Sequence, residues 1–407
     1  MRNILWLSHL LPYPPKGGVL QRSYNLIKET SKRHNITLLA FNQRNLCPSV
    51  EDLEEGIRHL SQFCNVINVM PIATEASKFS KLKLLAKGLL PGRTYTVSWL
   101  ESKAYKEKLS EVLASKEFDA IHVDTISLAP YVMHLKEYKK VLNHHNIESL
   151  MMLRRAENET NILKKIYFFQ EGKKLINYER KACKEFNLNI TCSDLDAERL
   201  NNIVPGIRSM GIPNGVDLDY FSPLDLPIKQ KSIVFAGGLS WYPNLDAMTF
   251  FMTQVWPKLV QEIPDVSMTI IGRSPPAWMF QLQDKYKNLT VTGFVDDVRP
   301  YIAEAYLYVC PIRDGGGTKL KVLDALAMGK LLIANPIACE GISVENNKNV
   351  IFAATPDEYI AAIKEAFENP VSTQRIARNA HELIKARYNF KSIGESLSNA
   401  FDEVCCQ

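Results

Sequence analysis

Short apolar runs alternate with helical stretches along this 407-residue chain, and the alternation stops once and begins again. In the first half, Ile4–Leu7, Ile36–Phe41, Asn65–Met70, Phe118–Val123, Val141–Asn143 and Leu188–Cys192 read as strands, with helices over Leu20–Lys32 and Val50–Phe63. Brief strands between helices imply a parallel sheet covered on both faces. Four prolines then cluster (Pro205, Pro213, Pro223 and Pro227), and the pattern restarts. Ser232–Ala236, Val266–Ile271, Leu289–Thr292, Leu307–Cys310 and Leu331–Ala334 form the second strand series, with a helix over Leu245–Glu262. The fold class is therefore α/β, with two Rossmann-like doubly wound domains, an N-terminal one over 1–205 and a C-terminal one over 206–389.

Ligands of such sheets sit beyond the carboxyl ends of the strands. Gly17-Gly18, His145, Gly237-Gly238 and the run Asp314-Gly-Gly-Gly-Thr-Lys-Leu-Lys-Val-Leu-Asp324 all fall at such ends. The last is the richest. Its glycines let backbone N–H groups approach an anion, and the following helix start adds unpaired donors and a partial positive charge. Thr318, Lys319, Lys321 and Asp324 fall in the first turns. This set suits a diphosphate, with a carboxylate two turns in for the hydroxyls of a ribose. Lys319 and Lys321 cannot share a helix face. With a helix beginning at Thr318, Lys319 is slightly favoured as the phosphate ligand because it lies nearer the glycines.

Apolar residues make up 46% and charged residues 23%, as in an ordinary globular enzyme. Asn3–Leu11 is too short, and too quickly followed by prolines, for a signal peptide, and no run reaches the ~18 apolar residues of a membrane span. The eight cysteines form no C-x-x-C pair and read as reduced thiols, with a cytoplasmic location as the default. Net charge is +5, but residues 1–205 hold 30 Lys+Arg against 22 Asp+Glu. The first half therefore faces an anionic partner: a lipid-linked acceptor, a membrane surface or nucleic acid. The basic stretch Lys78–Leu90 reads as an amphipathic helix, either packed on the core or docked on an anionic membrane.

Ile212-Pro-Asn-Gly-Val-Asp-Leu-Asp-Tyr-Phe221, Phe235-Ala-Gly-Gly-Leu-Ser240, Ile270-Ile-Gly-Arg273, Val291-Thr-Gly-Phe-Val-Asp-Asp297 and the glycine loop follow one another in an order that resembles the large family of retaining GT-B glycosyltransferases of the family 4 type, also called glycosyl transferases group 1. The branch with a Gly-rich loop and Lys-x-Lys is the most similar. Pro12–Gly18 and His144-His-Asn-Ile-Glu148 extend the resemblance into the first half.

The resemblance implies two domains facing across a cleft, with a final helix of about 390–407 returning to the first. It implies a hexosyltransferase that needs no metal and no cofactor, since the nucleotide sugar is a substrate. The sugar passes to the hydroxyl of a saccharide or lipid-linked acceptor in surface polysaccharide or glycolipid assembly. Peripheral contact with the inner membrane surface, and no nucleic acid partner, go with it. His145 would approach the donor sugar, oriented by Glu148 unless that residue simply opens the next helix. Donor contacts would come from Gly17, Gly18, Gly238, Arg273, Phe294, Val295, Gly316, Gly317, Thr318, Lys319, Lys321 and Asp324. Arg22 would reach the cleft, and His122 and Asp124 either touch the acceptor or end their strand.

Three positions depart from the family pattern. Asp324 stands where the second of two paired glutamates is usual, Gly316 where the first is, and Gly238 where an arginine is common; Arg273 or Arg313 could replace that arginine. Two rival readings follow: a nucleotide-sugar epimerase of the same fold, or a catalytically weak binding subunit. A dinucleotide oxidoreductase is disfavoured, because no G-x-G-x-x-G follows the first strand.

Overall fold

The computed structural model of the protein describes residues 1–15, 18–44, 46–75, 80, 84–86, 88, 90, 92–315 and 317–406. Gly17, Gly316 and most of Lys78–Leu90 lie outside the described residues. The chain forms two compact units: Met1–Asn214 with Phe390–Gln407, and Gly215–Asn389.

The first unit carries a parallel sheet of β1 (Asn3–Ser8), β2 (Asn35–Asn42), β3 (Asn65–Pro71), β4 (Ala120–Val123), β5 (Lys139–His144), β6 (Leu188–Thr191) and β7 (Ser209–Gly211). Their order is β3-β2-β1-β4-β5-β6-β7. Alternation of side chains splits its core in two. Leu5 and Leu7 join Leu39, Phe41, Ile121, Val123 and Leu142 on one face. Ile4 and Trp6 join Ile36, Leu38, Ala120 and Val141 on the other. The helix Phe390–Cys406 closes that second face with Ile393, Leu397, Phe401 and Val404. It packs tightly enough on helix Gly18–Thr30 that a Cβ at Gly394 would collide with Glu29.

The second unit repeats the design with β8 (Ser232–Ala236), β9 (Ser267–Ile271), β10 (Leu289–Gly293), β11 (Leu307–Cys310), β12 (Leu331–Ala334) and β13 (Ile351–Phe352), ordered β10-β9-β8-β11-β12-β13 and all parallel. β8, β11 and β12 are buried along their whole length, as strands sandwiched between helices must be. The helix expected over Leu245–Glu262 is instead interrupted. Tyr242–Phe250 passes through a wide π turn, Phe251–Val255, into Trp256–Glu262. Pro257 explains the break, because it has no N–H to donate to the preceding turn. β7 and β13, three and two residues long, carry too little pattern to read from sequence.

Each sheet reverses its strand order at one point: between β1 and β4 in the first, between β8 and β11 in the second. In sheets of this kind, ligands bind at such a point, beyond the carboxyl ends of the strands.

Candidate active site

At the reversal point of the first sheet lies a buried polar network. Asp124, one residue past β4, is fully buried. Its Oδ1 accepts from Asn143 Nδ2 (2.8 Å) and His145 Nε2 (3.1 Å), and its Oδ2 from Ser23 Oγ (2.7 Å). His9 Nδ1 stands 3.9 Å from Oδ2 and has no hydrogen-bond partner among the described residues. Burial opposes ionisation of Asp124, but the imidazoles of His145, His122 and His9 outweigh it and hold the carboxyl well below its usual range. The bond to an ionised Asp124 requires a proton on His145 Nε2, so a neutral His145 ring carries its lone pair on Nδ1.

The network continues through Arg22, which is buried. Its guanidinium donates to Asn143 Oδ1 (3.1 Å), Asn214 Oδ1 (2.9 Å) and the Pro213 carbonyl (3.0 Å). Asn214 of the Ile212–Phe221 signature is thus tied to the groups that hold Asp124. Glu148 opens the helix Glu148–Asn158, whose Ser149 is held by Glu179, and Asp124 takes the orienting role expected of Glu148. His144 turns inward to Asn189 (3.3 Å), and His122 is buried against the Trp6 ring, 3.7 Å between centroids. Gly18 is the first residue of its helix, and a Cβ there would meet open space.

At the reversal point of the second sheet, the loop after β11 is shaped by glycine. Gly315 and Gly317 take φ of 99° and 65°, in the left-handed region that residues with a Cβ avoid. The buried Asp314 accepts from the Gly315 N–H (2.6 Å). The helix begins at Leu320 rather than Thr318, with Lys319 as its N-cap. Lys319 folds back on the loop and donates to the carbonyls of Gly315 and Gly317 (both 2.9 Å). Thr318 is buried beside it.

Lys321, in the first helical turn, reaches the end of β8. Its ammonium donates to Asn244 Oδ1 and lies 5.0 Å from the Phe235 ring centroid, and a Cβ at Gly237 would collide with it. The residue keeps some exposure, yet its ammonium is held away from water. Burial lowers it to about 8, and burial likewise raises the Asp324 carboxyl to about 8, against the pull of Lys321. Asp324 Oδ1 is buried and has no hydrogen-bond partner among the described residues. An unpaired buried acceptor of this kind costs roughly 1–3 kcal/mol, so it suits a site that a ligand completes.

The neighbouring strand ends are stitched close. Gly237 N–H donates to Ile271 O, Gly272 N–H to Gly293 O, and Leu239 N–H to Arg273 O. Gly272 is needed here, since a Cβ would strike the Gly237 carbonyl. Gly238 faces open space. Arg273 is exposed and lies over the Phe294 ring at 4.4 Å, and Val295 packs against the core. Arg313 is spent elsewhere: it pairs with Asp246 (2.9 Å) and covers the Phe250 ring. The cavity of about 580 Å³ lined by Ser343, Glu345, Asn379 and Arg387 contains none of these residues.

Residues 230–369 match the family described as Glycosyl transferases group 1. The matched segment runs from just before β8 to the helix Pro356–Glu368 and includes the whole glycine loop. Over the full chain, an uncharacterized 44.6 kDa protein in the cps region of Klebsiella pneumoniae is 22% identical across 98% of this chain and 99% of its own. Phosphatidyl-myo-inositol mannosyltransferase of Mycobacterium tuberculosis is 25% identical over 228 residues, 53% of this chain and 59% of that protein. Among solved structures, Anabaena HepE in complex with UDP superposes with a TM-score of 0.69 at 15% identity, covering 98% of this chain and 100% of that one. The architecture is that of the GT-B glycosyltransferases, two parallel-sheet Rossmann-like domains.

Sequence reasoning missed Asn244, His9, Asn143 and Asn214. Asn244 carried one signal, its place beside Pro243 at a helix start just after Gly237-Gly238. The others act through partners on different strands and loops, 19 residues away for Asn143 and Asp124 and 192 for Asn214 and Arg22, pairings that one sequence does not display.

Proposed function

We propose that the protein is a retaining glycosyltransferase of the hexosyltransferase type. It moves a sugar from a nucleotide-sugar donor to the hydroxyl of a saccharide or lipid-linked acceptor, in assembly of a surface polysaccharide or glycolipid. The observation that carries this reading is the juxtaposition of the buried Lys321 ammonium and an Asp324 oxygen with no hydrogen-bond partner among the described residues, on the helix that follows Gly315 and Gly317. The two stand three residues apart and so share a helix face.

In this reading the loop N–H groups, the helix start and Lys321 receive the diphosphate, while Asp324 receives a ribose hydroxyl. Charge grows on the diphosphate as the sugar departs, and donors already fixed in place stabilise it without reorganising. The lysine ammonium and the helix dipole supply positive charge where a metal ion otherwise would, so we propose a metal-independent reaction. His145, fixed by Asp124, is the proposed contact to the sugar. The cps region of the Klebsiella relative, the mannosyltransferase relative and the UDP of the HepE structure all support a donor and an acceptor of these classes.

A thermal-shift screen with UDP, GDP, ADP and dTDP tests the reading, because a ligand of the native state raises its melting temperature. One of them should stabilise the protein, and the corresponding nucleotide hexose should be consumed when an acceptor is present. No shift with any of the four would refute the reading. Binding without turnover across an acceptor panel would favour a binding subunit instead.

A further inference from the structure

The helix Ile162–Ala182 presents an apolar stripe to solvent. Its buried side is formed by Phe168, Glu171, Gly172, Leu175, Glu179 and Ala182. On the opposite side Ile162, Ile166, Phe169 and Lys173 recur at i, i+4, i+7 and i+11, one line along a helix. Ile162 is 72% exposed, Leu163 beside it 79%, Ile166 49% and Phe169 51%. Four large apolar side chains in one exposed cluster differ from the scattered singles of an ordinary surface.

The outward charges of the helix itself have one sign. The helix has two acids, Glu171 and Glu179, and both are buried. Its outward charges are Lys164, Lys165, Lys173, Arg180 and Lys181. The Lys173 ammonium lies over the Phe169 ring, 5.5 Å from its centroid. Two acids precede the helix: Glu157 in the last turn of helix Glu148–Asn158, and Glu159 just after it.

We propose that this helix face docks the protein on an anionic phospholipid surface, with Ile162, Leu163, Ile166 and Phe169 entering the headgroup boundary and the lysines meeting the lipid phosphates. An apolar stripe flanked by lysines is the composition of an interfacial helix. The same charges argue against a second copy as occupant. A two-fold pairing of this face would set like charges against each other. The proposal goes beyond the sugar-transfer reading and does not depend on it.

The test is co-sedimentation of the full chain with vesicles of phosphatidylcholine alone and of phosphatidylcholine with phosphatidylglycerol. Binding should require phosphatidylglycerol and weaken with salt. The double variant Ile166→Ser, Phe169→Ser should weaken it roughly tenfold or more, and Lys164→Glu, Lys165→Glu should remove most of its salt dependence. Both variants change exposed side chains, so their melting temperatures and nucleotide-induced shifts should match the parent, which separates failure here from failure of the donor site. Equal binding of parent and apolar variant would overturn the proposal. So would absence of vesicle binding, or a concentration-dependent dimer that the apolar variant abolishes.

Discussion

Replacing Lys321 by Met should separate stability from function. In the free protein the ammonium sits in a poor environment: its pKa falls from 10.5 to about 8, chiefly through burial. At roughly 1.4 kcal/mol per unit, the charged form is disfavoured by up to about 3 kcal/mol at neutral pH. The variant loses the hydrogen bond to Asn244, worth roughly 1 kcal/mol, and leaves Asp324 without its cation. Asp324 then remains protonated to higher pH and costs little at neutrality. The balance is a free protein that is unchanged or more stable by about 1–2 kcal/mol, which is an upward shift of a few degrees in melting temperature. Nucleoside diphosphate binding should move the other way. A charge-assisted contact to phosphate is worth roughly 1.5–3 kcal/mol, so Kd should rise about ten- to hundredfold. Paired calorimetric titration and thermal unfolding of both proteins measure the two effects. A variant that is clearly destabilised while its diphosphate affinity is unchanged would show Lys321 to be a structural residue.

Other consequences follow from the same geometry. Diphosphate affinity of the parent should fall as pH rises through about 8, because Lys321 must be charged to bind; a flat profile between pH 7 and 9 would contradict this. Asp124→Asn and His145→Ala should each lower kcat by roughly a hundredfold with little change in donor affinity, and the double variant should be no worse than the poorer single one; additive losses would mean that the two groups act separately. Asp324→Ala should erase the preference for a ribonucleoside diphosphate over its 2′,3′-dideoxy form, roughly tenfold in the parent, readable by competition binding. Gly317→Ala, at a φ of 65°, should cost about 1–2 kcal/mol in urea unfolding and weaken diphosphate binding. Finally, burial holds His9 and His144 neutral down to about 4, against 6.5 in the unfolded chain. The unfolded state therefore binds more protons below 6.5, and stability should decline between 6.5 and about 4 and then level off for these two groups.

The sheets were legible because their strands are buried on both faces. Ser232–Ala236 and Leu307–Cys310 were read with the bounds observed, since apolar runs between turn residues have one economical interpretation. The two shortest edge strands were not legible: β7 is three residues and β13 two, all of them only half-buried. The glycine loop announced itself by composition, but the start of its helix did not. Lys319 caps the helix because its ammonium returns to carbonyls two and four residues behind, a loop geometry that composition does not fix. The two lysines therefore part: Lys319 braces the loop, and Lys321 reaches the end of β8. In the first unit, His145 was legible as a strand-end residue. Asp124 was legible only as a second strand-end residue; its bond to His145 was not, because the two are brought together by the pairing of β4 with β5. Arg22, Asn143 and Asn214 come together by the same long-range logic.

The most direct test is a crystal structure of the chain with whichever nucleoside diphosphate stabilises it most. The β-phosphate should rest on the turn at Gly315–Gly317 within reach of Lys321, and a ribose hydroxyl should donate to Asp324 Oδ1. A nucleotide bound away from that turn, with Asp324 Oδ1 still unpartnered, would contradict the assignment of this loop as the donor site.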